Sequence, residues 1–276
     1  MNQNLFEGLG AELQSRRCVV VVGLPGTGKS LLVREAARLA KTNGRAVRLL
    51  QWDVARTAWD TPEVLARFPE VDGVTHAGIR KALGLWVRKA MLDWFQTHAA
   101  AGELLLVEAP IIGGRFAELA KRGDDSLESH LAGPESLFVV VAPTTELQAE
   151  LRRRRAQEMG STRNALEQHN ASVVVLDGLM AAVEQIAPQL GQTPRFPGMY
   201  DPDLYIDVMR IILKHRNVLV LRPHEVVDTH GSVYELGHEA ARIEATSVSV
   251  ADTVARAAAL NTQQLRQEVE LGWAFT

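Results

Sequence analysis

Residues 18–33 read CVVVVGLPGTGKSLLV, and the eight from Gly23 to Ser30 fit the pattern G-x-x-x-x-G-K-[ST]. Each residue type in it has a chemical reason. Gly23, Gly26 and Gly28 let successive backbone N–H groups turn inward around a phosphate and let it approach closely. A helix opening near Lys29 adds the positive end of its dipole. The Lys29 ammonium reaches β and γ phosphates, and the Ser30 hydroxyl is a ligand for Mg²⁺. The apolar run before the loop suits a strand, so the loop lies between strand and helix, as this chemistry requires. Gly23, Leu24, Pro25, Gly26, Thr27, Gly28, Lys29, Ser30 and Leu31 are therefore expected to hold a nucleoside triphosphate, with Mg²⁺ at its phosphates.

A phosphate loop needs a frame. After the first run, at 18–22, AVRLLQW (46–52), ELLLVEA (103–109), LFVVVA (137–142) and NVLVLR (217–222) are continuous apolar runs, the pattern of strands buried on both faces. The intervals between them are long enough for the crossover helices that parallel neighbours need. The clearest of these is 77–98, where Ile79, Leu83, Trp86, Val87, Ala90, Met91 and Trp94 form one apolar stripe and Arg80, Lys81, Arg88 and Lys89 fall mostly off it. Leu5, Leu9 and Leu13 mark an opening helix, residues 170–187 read as a helix, and 251–273 read as a closing one. The expected fold is three-layer α/β/α with a five-stranded, mainly parallel sheet. Residues 1–231 form its body, with a lid or insert at about 152–200, and 232–276 form a helical extension on the same domain.

Composition sets bounds. The 276 residues are 46% hydrophobic and carry a net charge of −3, without the basic excess of a protein held to nucleic acid by phosphate contacts. The single cysteine, Cys18, excludes an intrachain disulfide. No apolar run approaches the roughly 20 residues that span a bilayer, and the first residues lack the pattern of a signal peptide. The expectation is a cytoplasmic protein with no membrane or nucleic-acid partner, and a homodimer is compatible with it.

The phosphate loop and four positional matches resemble the P-loop small-molecule kinases, the group of nucleoside, uridine, shikimate and zeta-toxin-like kinases, over roughly residues 18–222. The resemblance implies ATP as the nucleotide. It implies that Asp53, in LLQWDVAR, is the base that takes the acceptor's proton; a turn-capping aspartate is the plainer reading of the same residue. It implies that Glu108, in LLLVEAP, holds Mg²⁺ through water; uridine-type kinases have glycine where this chain has Ala109-Pro110. It implies that arginines of the run Arg152 to Arg155 close over the phosphates as a lid, with Arg152 and Arg155 on one face. A solvated face with a Glu150–Arg154 pair is the plainer reading of that run. NVLVLRPHEVV would contact the adenine. Arg56 reads as an anion contact or a solvated arginine, Trp86 and Trp94 as core, and Trp52 and Trp59 as pocket lining.

The implied activity is transfer of the ATP γ-phosphoryl group to a hydroxyl of a small molecule. A P-loop ATPase coupled to a partner protein would carry the same loop, although an Asp-Glu pair is replaced here by Val-Glu-Ala. A nucleotide-binding module without turnover is a third class. HEVVDTH (224–230) is not the zinc-protease H-E-x-x-H, because Asp228 stands at the fifth position. His224, Asp228, His230 and His238 would have to gather from other directions to hold a metal.

Overall fold

The protein is described by a computed structural model covering residues 3–98, 102–158, 173–226 and 240–275. The apolar runs form β1 (Cys18–Val22), β2 (Ala46–Gln51), β3 (Glu103–Ala109), β4 (Ser136–Val141) and β5 (Val218–Leu221). They lie in one sheet of order β5-β4-β1-β3-β2-β6, in which every pairing is parallel. The sixth strand corrects the expected five. β6 (Ala241–Arg242) pairs with Arg48 and Leu49 of β2, inside the stretch expected to be helical. The next residue, Ile243, donates its N–H to the Leu49 carbonyl at 2.9 Å. Without this cover, the outer edge of β2 would leave its peptide groups unpaired.

The helices are α1 (Gln3–Ser15), α2 (Lys29–Thr42), α3 (Trp52–Arg56), α4 (Pro62–Arg67), α5 (Ala77–Thr97), α6 (Leu127–Ala132), α7 (Thr145–Glu158), α8 (Val173–Ile186), α9 (Pro202–Ile212), α10 (Ser247–Ala258) and α11 (Thr262–Leu265). Because side chains alternate along a strand, the sheet buries two separate cores. Val19, Val21, Leu49, Leu104 and Leu106 pack with Leu9 and Leu13 of α1 and Leu32 and Val33 of α2. Val20, Val22, Leu105 and Val107 pack with Leu83 and Met91 of α5 and Met209 of α9. This assigns α1 and α2 to one face and α5 and α9 to the other.

The expected helices at 77–98 and 170–187 are present as α5 and α8. The closing helix is not continuous. α10 stops at Ala258, and Asn261 then caps α11: its side-chain oxygen accepts from the Gln264 backbone N–H, and the Gln264 side-chain oxygen accepts from the Asn261 backbone N–H. Asparagine is a strong N-cap and a poor helix interior residue, so the break follows local chemistry that the apolar pattern concealed. Two further expectations are corrected. Trp52 and Trp59 are core rather than pocket lining: Trp52 meets Phe116 edge-on at 5.0 Å and Trp59 meets Trp86 at 5.4 Å. Arg80, expected off the buried stripe of α5, is buried.

Arg216, just before β5, ties the segment after β3 to α6. Its buried guanidinium donates to the carbonyls of Leu119 and Lys121 and pairs with Glu128 at 2.6 Å. Arg216→Met should cost about 3 kcal/mol, since it leaves two carbonyls and part of a carboxylate unmatched. Urea unfolding measures this. A loss below about 1 kcal/mol, the worth of one ordinary hydrogen bond, would show that water replaces the guanidinium.

Candidate functional site

The phosphate loop turns between β1 and α2, at the carboxyl end of the central strand. Gly28 has φ +91°, a conformation that a side chain would strain. A Cβ on Gly23 would sit 2.8 Å from the Thr27 hydroxyl and 3.2 Å from the Val141 carbonyl, so the loop closes only around glycine there. Thr27 fastens the turn by donating its hydroxyl to the Leu24 carbonyl at 2.7 Å. Lys29 is buried at the start of α2, and its ammonium donates to the same carbonyl at 2.8 Å. The lysine is thus folded onto the loop that it would serve.

Strand alternation decides what faces Ser30. Leu104 and Leu106 of β3 lie on the α2 face, so Glu108, two further on, lies there too. A shift of one residue would have sent this carboxylate into the opposite core. In register, Glu108 stands between Val21 of β1 and Gln51 of β2. Its two oxygens accept from the Ser30 hydroxyl at 2.8 Å and from the Gln51 amide at 2.9 Å. Only 4% of the residue is exposed. Burial raises its pKa above the ordinary carboxylate range, Lys29 opposes this, and the nearby Asp53 charge adds to it. The structure therefore brings Lys29, Ser30 and Glu108 together, as the sequence led us to expect. Gln51 was missed, although a lone amide ending an apolar strand was a visible signal.

Asp53 lies in the first turn of α3, directly after β2; the cap position itself is Gln51. Its charge is felt both by Glu108 and by Arg115. Arg115 follows β3 in the loop 110–116 and was not singled out in the sequence. Burial lowers its pKa to about 10, Arg80 and Arg56 push the same way, and Asp53 opposes them. The side chain of Arg56, expected to be either an anion contact or solvated, is mostly buried and pairs with Asp60 at 3.2 Å and Glu70 at 2.7 Å.

The first half of α7 stands over the phosphate loop. Leu147 and Leu151 line an apolar cleft with Leu31, Leu221, Pro223 and Val226, and Thr27 and Gly28 form its floor. Leu221, Pro223 and Val226 of the NVLVLRPHEVV segment thus stand beside the phosphate loop. The arginines of α7 point elsewhere. Arg152 pairs with Asp177 of α8 at 2.8 Å, and both Arg153 and Arg154 pair with Glu150. The plainer reading of this run, a charged surface, is the one these contacts fit. The Arg155 side chain lies outside the described residues, as do Asp228, His230 and His238. His224 is exposed beside Glu225, and no metal-type cluster of three His, Cys, Asp or Glu occurs among the described residues. No described helix is long and apolar enough to cross a membrane.

No protein-family model matches the chain, and no curated protein matches it. Among solved structures, the crystal structure of Chaetomium thermophilum Kti12 in complex with ADP-AlF3 is similar. It shares 9% identity, covering 87% of this chain and 96% of that one, with a TM-score of 0.29. A likeness this weak carries no argument about activity, which has to be read from the site itself.

Proposed function

We propose that this chain is an ATP-dependent phosphotransferase that moves the γ-phosphoryl group to a hydroxyl of a small molecule. The observation that carries the reading is the sequence of charged groups along the carboxyl edge of the sheet. Lys29, Ser30 and Glu108 occupy the phosphate end, and Asp53 stands beside them at the end of β2, where parallel sheets place ligands. The loop amides and Lys29 hold the β and γ phosphates. Asp53 accepts the proton of the acceptor hydroxyl as its oxygen forms a bond to the γ-phosphorus and the bond to the ADP oxygen breaks. The apolar cleft under α7 receives the adenine.

Ser30 and Glu108 fit Mg²⁺. Their oxygens lie 2.8 Å apart, both are hard donors, and Gln51 steadies the second carboxylate oxygen. Ser30 would bind the ion and Glu108 would hold it through water. Bound there, the ion would neutralise charge on the phosphate oxygens. Glu108→Gln keeps the shape and removes the charge. It should raise the Mg²⁺ concentration needed for half-maximal turnover by about 10–100-fold, read from Mg²⁺ titrations at saturating ATP. An unchanged requirement would take Glu108 out of the metal site.

A partner-coupled ATPase is the second reading. It is favoured by Phe196 and Met199, which are 58% and 59% exposed on one turn-rich segment. Incubation with γ-labelled ATP and a pool of nucleosides, sugars and cofactor precursors separates the two. Label in a new small molecule supports the phosphotransferase. Label found only as free phosphate, at a rate indifferent to the pool, overturns it in favour of the ATPase.

A further inference from the structure

We propose that Arg80 and Arg115 form a subsite for an anionic group, a carboxylate or a phosphate monoester, on the molecule that accepts the phosphoryl group; this rests on the phosphotransferase reading above. Arg115 is 8% exposed, and its Nη1 has no hydrogen-bond partner. Among the described residues its guanidinium makes no hydrogen bond and no ion pair, although it carries five N–H donors. A buried donor left unmatched is costly, and more so when it is charged, so an arginine in this position is built to meet something.

Arg80 shares the position. It is 7% exposed, donates one Nη1 hydrogen to the Gly113 carbonyl and pairs with Glu270 at 3.1 Å, and its Nε is buried without a partner. The two guanidiniums converge on Gly113: a Cβ placed there would lie 3.7 Å from Arg115 Nη1 and 4.0 Å from Arg80 Nη1, with a Leu179 methyl closer still at 3.0 Å. Like charges this close repel, and an anion between them turns the repulsion into attraction.

The loop that presents Arg115 is held in a costly form. Ile111 and Phe116 have φ of +60° and +58°, which is unusual for a β-branched and for an aromatic residue. A reciprocal pair of backbone bonds closes it, with Ile111 N–H donating to the Arg115 carbonyl at 2.7 Å and Arg115 N–H returning to Ile111 at 3.3 Å. Strain of this kind persists where the surroundings enforce it. Here they include the C-terminal segment, whose Val269 would block any side chain on Gly114. That segment also walls a cavity of about 250 Å³, lined by Thr75, His76, Arg80, Leu265, Arg266 and Glu270. Space of this order suits a small metabolite better than a macromolecule. Arg80 lines the cavity and Arg115, which does not, lies in the field of Asp53, so the arginine pair joins the cavity to the Asp53 side of the site.

The test is calorimetric titration of inorganic phosphate into the full chain saturated with Mg²⁺ and the β,γ-imido analogue of ATP, which fills the phosphate loop. One saturable phosphate site is expected, weakened at least about tenfold in Arg115→Gln and in Arg80→Gln. No saturable site in the unaltered chain overturns the proposal, and so does an affinity that both variants leave unchanged, the mark of an adventitious ion only. Circular dichroism and affinity for the ATP analogue report whether each variant is folded. Should Arg115→Gln lose its fold, Arg80→Gln decides alone. The titration needs no turnover. A saturable, arginine-dependent site without phosphoryl transfer to any anionic acceptor removes the phosphotransferase reading while the anion site stands. Transfer to neutral alcohols without a phosphate site removes the subsite while the phosphotransferase stands.

Discussion

Lys29→Ala should reduce nucleotide turnover by at least about 10³-fold, the scale of losing a preorganised charge aimed at the transition state. Lys29 is the buried cation at the mouth of the loop, and its ammonium donates at 2.8 Å to the Leu24 carbonyl. The fold should survive. Losing that hydrogen bond costs about 1 kcal/mol, a small part of the stability of a domain this size. Lys29→Arg should rescue little, because a planar guanidinium on a longer stem does not fit a space shaped for a compact ammonium. Thermal unfolding with and without ATP, beside steady-state turnover, separates the effects. Residual turnover above about a tenth of the original in a folded Lys29→Ala chain would mean that the loop amides hold the γ-phosphate without it.

Asp53→Asn should cost about 10²–10⁴-fold in transfer to the acceptor, the range that general-base catalysis supplies, while leaving ATP affinity within about twofold. The amide is close to the carboxylate in shape but cannot take up a proton. Asp53 is also the carboxylate whose field steadies Arg115, so the acceptor's apparent affinity should fall as well. Both effects are read from the γ-label assay with varied acceptor. If label passes to acceptor equally fast in the variant, Asp53 is not the base. If label leaves only as free phosphate, and equally from both proteins, the site hydrolyses ATP and the partner-coupled reading takes over. The two substitutions act on opposite ends of the transferred group. Lys29→Ala impairs every reaction of the nucleotide, whereas Asp53→Asn impairs only its delivery.

Much of this was legible along the chain because it is local. A phosphate loop is a stretch of backbone geometry, and Gly23, Gly26, Gly28, Lys29 and Ser30 encode it within eight residues. The five longer strands are equally local, since runs that lie within a parallel sheet are mostly apolar. The placement of Glu108 opposite Ser30 then followed from strand alternation, once β3 lay next to β1. What failed at this level failed for want of length or contrast. β6 has two residues, too few to set a period, and it forms because the edge of β2 offers it partners. Trp52 and Trp59 are apolar residues next to a charged one, and only their packing against Phe116 and Trp86 settles that they are core.

The sequence by itself determined a phosphate-binding loop within a parallel α/β sheet, with a serine, a lysine and a strand carboxylate fit for a nucleotide and its metal. The tertiary structure alone decided that two buried arginines meet beside the loop after β3. Arg80 reads as an outward position of a helix and Arg115 carries no signal of its own, 35 residues further along the chain. They meet because the strained loop after β3 folds back onto the start of α5 under the C-terminal segment. The physical reason is one of range. Backbone geometry and burial pattern are properties of neighbours in the chain, whereas the meeting of two buried like charges depends on packing, which no short window of sequence contains.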